Sequence, residues 1–454
     1  MKTKVFRNDL TEGTVWKKLL VFFLPIAAGT CIQQLYNAVD GMIVGRFVGT
    51  VALAAVGGSS AQVINLLVGF FTAITAGAAV VIAQVYGAGR SEDVRIASGN
   101  AIAVLGILGL VLMAFGLTAS PWMLRILRTP ADTMSGAILY LRIYFAGVPF
   151  VLILNMESNI LRAVGDSFSP FLYMVIGCIS NIIFDIIFVI AFHWGIAGVA
   201  AATVLSQVIN TALLTQKLMR TRESYRLSFH EFKLKGVYLS NMLKLGIPSG
   251  AQSSMYAVSN MIIQIGVNTL GTVVVASWAM TSKIDGVFWA VSNALGAAIT
   301  SFIGQNLGAG RQDRVRQCVN QGLIMAFTVT AVLSALIMLA SKPLLSILTN
   351  DPAVISTTYE MMTYFVPYYF AWTLIEVLSA VLRGSGDAVR PVIIIGLGIC
   401  LFRIVWISTV FSWFGTLPAL CLCYAASWML TSTALLIYYK KSNWLNRHRV
   451  IIDK

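Results

Sequence analysis

The chain has 454 residues, 58% of them hydrophobic and only 11% charged, with a mean hydropathy of +0.81 and a net charge of +14. Soluble domains carry about 25% charged residues, so composition argues against a soluble enzyme and for an integral membrane protein with many spans. The six scattered cysteines form no CxxC pair and the three histidines no HExxH pair, so the sequence holds no visible redox or metalloenzyme apparatus and the cysteines read as small packing residues.

The N-terminal stretch MKTKVFRNDLTEGTVWKK is polar and basic for too long to be a cleavable signal, so the first span is expected to be retained. That span, 17–40, contains the run VFFLPIAAG and leads into QQLYNAVDGMIVGR (33–46), where Gln34 and Tyr36 are candidate cavity residues. At 1.5 Å per residue from Lys18, Asp40 lies roughly 33 Å along the helix, towards the outer face. The second span, 52–84, ends at Gln84, just before GAGRSEDVR (87–95). Spans 95–119 and 133–160 follow, with Glu157 expected at the interface, and LRAVGDSFSP (161–170) leads to the fifth span, 168–192. Asp185 lies roughly 22 Å up that helix from Pro170, and Asn181, four residues earlier, shares its face. The sixth span, 196–216, runs inward and puts Thr203 roughly 12 Å below the outer surface. After the basic stretch KLMRTRESYRLSFHEFKLKG (217–236), six more spans are expected at 238–267, 273–305, 317–340, 354–382, 391–411 and 418–439.

The two halves repeat. GAGRQDRVR (308–316), with Gln305 three residues before it, and LRGSGDAVRP (382–391) both lie 221 residues after their first copies. The chain therefore divides into an N-terminal lobe, 1–216, a linker, 217–237, a C-terminal lobe, 238–440, and a tail, 441–454. Six spans per half is an even number, so both halves enter the membrane in the same sense and are related by an axis along its normal. The motif glycines permit tight turns, the arginines suit the headgroup level, and Pro170 or Pro391 can start the next helix. A phosphate cradle would need a following Lys-Ser/Thr, which is absent. Segments on the side of the termini hold 25 Lys and Arg, against four on the other side: Arg46, Arg125, Arg128 and Lys342. Both termini are therefore expected in the cytoplasm, and the net charge serves orientation and lipid headgroups, not nucleic acid.

A carboxylate inside the membrane costs about 2.5–3.5 kcal/mol on insertion scales. Asp40, Asn181, Asp185 and Thr203 fall in one outer-half layer, offering hard oxygen ligands to a cation or a carboxyl pair able to share a proton. One repeat after Asp185 stands Trp406, and Asp40 maps near Ile262, so the acid pair belongs to the first half alone. Scaffolding does not explain that asymmetry; the alternative is a pair of buried carboxylates satisfied by neighbouring hydroxyls and amides. In the second half Lys283, Asp285, Glu376 and Arg403 either neutralise one another across the bundle or line a substrate path. The 17 methionines and 10 tryptophans suit a pliable apolar cavity and lipid-facing packing equally well.

The proline-bearing first span leading to QQLYNAVDGMIVGR, with Q-x-x-GAGR and LRxxGD in each half, resembles the MATE family, the multidrug and toxic compound extrusion antiporters. The resemblance covers nearly the whole chain. It implies an all-α membrane protein of twelve helices in two six-helix lobes around a central cavity. It also implies export of amphipathic, often cationic, drugs or metabolites in exchange for H+ or Na+, with no cofactor and no metal beyond that Na+. The family's hallmark coupling aspartate on the first span falls at Asp40. Its N-lobe cation site, Asn-x-x-x-Asp on the fifth span and Thr on the sixth, falls at Asn181, Asp185 and Thr203. The NorM-like branch has an acid on its seventh span and an aspartate on its tenth. This chain has no acid in its seventh, and Glu376 lies only seven residues before Arg383, so the resemblance points to the DinF-like or a related bacterial branch. A monomer in the cell membrane, in contact with lipid, is expected. A flippase for lipid-linked saccharides or other lipids is the rival reading, and a polytopic prenyl-diphosphate enzyme, which would need paired DDxxD motifs, a more distant one.

Overall fold

The computed structural model describes residues 9–228, 235–349 and 351–447, which are helical and include no strand. The centre of the expected linker, 229–234, and the end of the tail, 448–454, lie outside the described residues. Twelve long helices account for the expected spans: α1 (Val15–Val48), α2 (Thr50–Gly87), α3 (Ser91–Ile126), α4 (Ala131–Ala163), α5 (Phe168–Ala191) and α6 (Gly195–Arg220) in the first half. The second half contributes α7 (Gly236–Thr269), α8 (Thr272–Gly308), α9 (Gln312–Ser346), α10 (Pro352–Ser385), α11 (Val389–Phe414) and α12 (Leu417–Lys441). Most outrun the apolar stretches that signal them, because backbone hydrogen bonding continues into polar flanks. Arg46, expected in an outer loop, lies instead on the last turn of α1.

Eleven of the twelve are long and apolar enough to cross a membrane. The exception, α7, has 34 residues but carries Ser249, Gln252, Tyr256, Asn260 and Gln264 at three- and four-residue spacing, one face of a helix. That face lines the cavities described below. Elsewhere the outer surface is apolar; on α9 alone Ile324, Val332, Leu336 and Leu339 are exposed. Such a stripe would be a liability in water and is the expected surface in lipid.

The repeat appears as an exchange of helices between lobes. The first helix of each half packs its basic end into the core of the other half. Leu19, Phe22 and Ile26 of α1 join Phe288, Ile299 and Phe302 of α8, while Tyr238, Met242 and Leu245 of α7 join Val81, Val85 and Leu161 of the first lobe. The crossing of α2 and α7 is so close that a Cβ on Gly77 would strike the backbone of Gly246.

At the end of the bundle where the motifs lie, two symmetry-related contacts close the space between the lobes. Gln84 Nε2 donates to the Gly384 carbonyl at 3.0 Å, and Gln305 Nε2 donates to the Ala163 carbonyl at 2.6 Å. Donors and acceptors are each one repeat apart. A Cβ on Gly87 would strike the Gln305 carbonyl, and one on Gly308 would strike that of Gln84. The first glycine of GAGR is thus a close-approach position; the turn is made by the second, Gly89 and Gly310, with φ of +71° and +72°. The aspartates of LRxxGD tie down neighbouring helices in the same register. Asp166 accepts from Lys217 at 3.1 Å, and Asp387 accepts from the Tyr438 hydroxyl, Lys217 and Tyr438 again being one repeat apart.

Candidate functional site

The α-helical pattern of α1 and α5 changes where their acids stand. In α1 a π turn spans Val44–Val48, beginning four residues after Asp40, and in α5 one spans Ile186–Ala191, directly after Asp185. Such insertions recur at functional sites because they re-aim side chains within a helix. The carboxyl groups of Asp40 and Asp185 face each other at hydrogen-bonding range. Asp185, Asn181 and Thr203 are buried and Asp40 is half-buried. With its amide oriented to suit both neighbours, Asn181 donates to Asp185 Oδ2 at 2.8 Å and accepts from the Thr203 backbone N–H at 3.2 Å. Thr203 Oγ1 donates to the Val199 carbonyl at 3.1 Å, and the Tyr36 hydroxyl is in hydrogen-bonding reach of Thr203. The Oδ1 atoms of both aspartates are buried without a protein partner.

Two unit negative charges about 4 Å apart repel by ~4 kcal/mol at an effective dielectric of about 20. That exceeds what the hydrogen bond from Asn181 to the charged Asp185 returns, about 1.5–3 kcal/mol. The arrangement therefore calls for a shared proton or a cation between the two acids. Four of the expected residues, Asp40, Asn181, Asp185 and Thr203, are in one place, and Tyr36 joins them. Gln34 does not: it lies on an exposed face of α1 and donates to the Gly286 carbonyl on α8 at 3.5 Å, between the lobes. Sequence reading missed Tyr140 and Tyr144 of α4, whose rings stack at 6.1 Å and whose hydroxyls lie within electrostatic range of the cluster. Their four-residue spacing, one helical face, was the available signal.

The second-half charges do not neutralise one another. Lys283 is exposed, while Asp285, two residues on, is buried and accepts from the Tyr369 hydroxyl; the 100° turn per residue sends i and i+2 apart. Glu376 pairs along its own helix with Arg383 at 3.2 Å. Arg403 is buried, donates from Nε to Ser427 at 3.1 Å and stacks 3.8 Å over the Tyr424 ring. Glu157 is not interfacial either: α6 packs over it, so it is fully buried and accepts from Thr215. All six cysteines are free.

Three cavities of about 490, 320 and 790 Å³ share Tyr256 of α7, in the size range of small-molecule sites. The 490 Å³ chamber lies within the second lobe and contains Asp285 and Arg403. The 320 Å³ cavity is nearest the Gln84–Gln305 contacts and contains Glu376 and Arg383. The 790 Å³ cavity runs between α2, α3 and α7, past Gln62 and Trp122, towards the opposite end of the bundle.

A family model described as MatE matches residues 25–187 and 248–409, and both matches begin at a proline inside the first helix of a half, Pro25 and Pro248. The chain is 27% identical over 393 residues to "Probable multidrug resistance protein YoeA" of Bacillus subtilis, covering 85% of this chain and 84% of that protein. It is 26% identical over 441 residues to "Probable multidrug resistance protein YpnP" of the same organism, covering 96% and 97%. A solved structure of a "MOP superfamily transporter from Pyrococcus furiosus" superposes with a TM-score of 0.89 at 22% identity, over 97% of this chain and 98% of that one.

Proposed function

The chain belongs to the MatE family, whose members are transporters and not enzymes, and from that premise we propose that it exports amphipathic compounds, cationic ones among them, in exchange for H+ or Na+ bound at Asp40 and Asp185. The observation that carries the proposal is the facing carboxyl pair with an unpartnered oxygen on each side. It is a place where a small cation or proton gains more than any neutral ligand. Asn181, Thr203 and Tyr36 orient the pair.

With the basic end of the bundle in the cytoplasm, the Gln84 and Gln305 contacts close the inner side and the large cavity faces outward. The coupling ion enters from outside, neutralises the acid pair and alters the hydrogen bonding of α1 and α5, which disfavours bound drug. Rocking of the lobes then opens the Gln84–Gln305 seam, the ion leaves and a new substrate enters. Exchange requires that ion and substrate favour opposite conformations. The transporter works as a monomer in the cell membrane, with lipid against its apolar flanks. A flippase of pyrophosphate-linked lipids is disfavoured, because Arg383 is already paired with Glu376 and Arg403 shares its chamber with Asp285.

The test is efflux from proteoliposomes under an imposed pH or sodium gradient. Wild type should respond to one of the two gradients, and Asp40→Asn to neither. Normal gradient-driven efflux by Asp40→Asn would rule the mechanism out.

A further inference from the structure

The arginine of LRxxGD is repeated, but its partner is not. Arg383 of α10 reaches back along its helix to Glu376 at 3.2 Å. Arg162 of α4 stands one repeat before Arg383, and the residue one repeat before Glu376 is Asn155. An amide supplies no charge, and this one turns to its own helix: Asn155 Nδ2 donates to the Val151 carbonyl at 2.8 Å. Among the described residues, the Arg162 side chain has no hydrogen-bond or ion-pair partner, its Nε is buried unpaired, and no carboxylate lies within electrostatic range of it.

Arg162, Arg383 and Glu376 all line the 320 Å³ cavity beside the Gln84–Gln305 contacts. Glu376 is committed to Arg383, so one positive charge is left over. An uncompensated arginine within a membrane protein is costly, and a guanidinium offers its N–H donors in a fixed fork that suits an anion. The other lobe brings a further donor to the same cavity. Ser301 of α8 is 7% exposed, and its hydroxyl has no hydrogen-bond partner among the described residues. One repeat earlier its place is taken by Val80, so this donor also occurs once. Ala73, Ala76 and Val80 of α2 make the neighbouring wall apolar, which weakens screening of the charge.

We infer that Arg162 holds a small monovalent anion in this inner cavity, a halide or a short carboxylate, with the Ser301 hydroxyl as a second donor. The anion does for Arg162 what Glu376 does for Arg383, as an exchangeable counter-ion in place of a fixed one. The site is separate from the acid pair of the first lobe, and its occupancy is tested without transport.

The experiment is thermal melting of the purified protein at constant ionic strength, with chloride or acetate progressively replacing gluconate, a bulky and strongly hydrated anion. A ligand that binds only the folded protein raises the melting temperature with the logarithm of its concentration, here by about 2 °C for each tenfold rise above its Kd. Wild type should show this rise with chloride, acetate or both, the effective anion telling a halide site from a carboxylate one. Asn155→Glu supplies a fixed acid at the spacing that Glu376 uses. It should melt above wild type in gluconate and no longer respond to chloride or acetate. Arg162→Gln should also lose the response. A wild type that melts at one temperature in all three anions would overturn the assignment, even if neither variant folds. So would a response of equal size in wild type and Asn155→Glu or Arg162→Gln, because a general salt effect does not depend on this arginine.

Discussion

The same place in the two lobes holds opposite chemistry. In the first lobe, Asn181, Asp185 and Thr203 form the acid cluster together with Asp40. One repeat later their positions are Phe402, Trp406 and Tyr424, and Asp40 maps beside the buried Ile263. Trp406 uses its indole N–H to bond the Ala419 carbonyl at 2.8 Å, so it offers no oxygen where Asp185 offers two. The π turn nevertheless survives, at Ile186–Ala191 in one lobe and Ile407–Phe411 in the other. Backbone irregularity came with the architecture; the acids are what make one copy the proposed cation site. By contrast, at the opposite end of the bundle the two copies of Q-x-x-GAGR keep the same residues and make the same bonds. Chemistry diverged around the acid pair, and identity was retained where the lobes meet.

The sharpest way to break this comparison is to remove the acid pair. Asp40→Asn should lower gradient-driven efflux by on the order of 100-fold, the upper part of the usual range for coupling between sites, with substrate binding in detergent retained. A similar loss from Trp406→Phe would mean that the lobes share the coupling role after all. Next come the close-approach glycines: Gly87→Ala and Gly308→Ala should each destabilise the closed basic end by roughly 1–3 kcal/mol, the usual cost of overpacking. Labelling of a cysteine placed behind the seam should rise equally in both variants, and unequal labelling would show that the repeat is not symmetric there. Loss of one glutamine is milder. Gln84→Ala and Gln305→Ala should each cost about 1 kcal/mol, read as matched shifts in thermal melting. The smallest effect belongs to Lys283→Ala, which should stay within about 0.5 kcal/mol and leave efflux kinetics unchanged, because this lysine is exposed.

Most of the architecture was legible because its signals are long-range in sequence. Twelve apolar runs and two motifs at one offset survive errors of several residues at any boundary. The acid cluster was legible for a related reason: in a hydrocarbon setting Asp40 and Asp185 are expensive, so their presence alone marks them, and depth along the helices brings Thr203 to the same level. What could not be read was side-chain partnership across the bundle. Asp285, Glu376 and Arg403 were visible as charges, but whether they meet depends on helix rotation and crossing, which hydropathy does not encode. Glu376 found Arg383 on its own helix, and Asp285 found a tyrosine. Gly87 and Gly308 were read as turn formers because glycine's two uses, positive φ and absence of bulk, look alike in a sequence.

The Gln84–Gln305 seam has the form of an isologous dimer interface: each half presents a glutamine donor, a carbonyl acceptor and a glycine groove, and each receives the same set in return. Two separate six-helix chains could make it with one gene's worth of residues. The linker then contributes mainly effective concentration, and the halves, expressed as separate polypeptides, should find each other in the membrane. Fusion freed the two copies from having to remain identical. A self-paired ancestor would have carried an acid pair in both lobes or in neither; a joined chain can keep its acid pair on one side of its axis and aromatic side chains on the other.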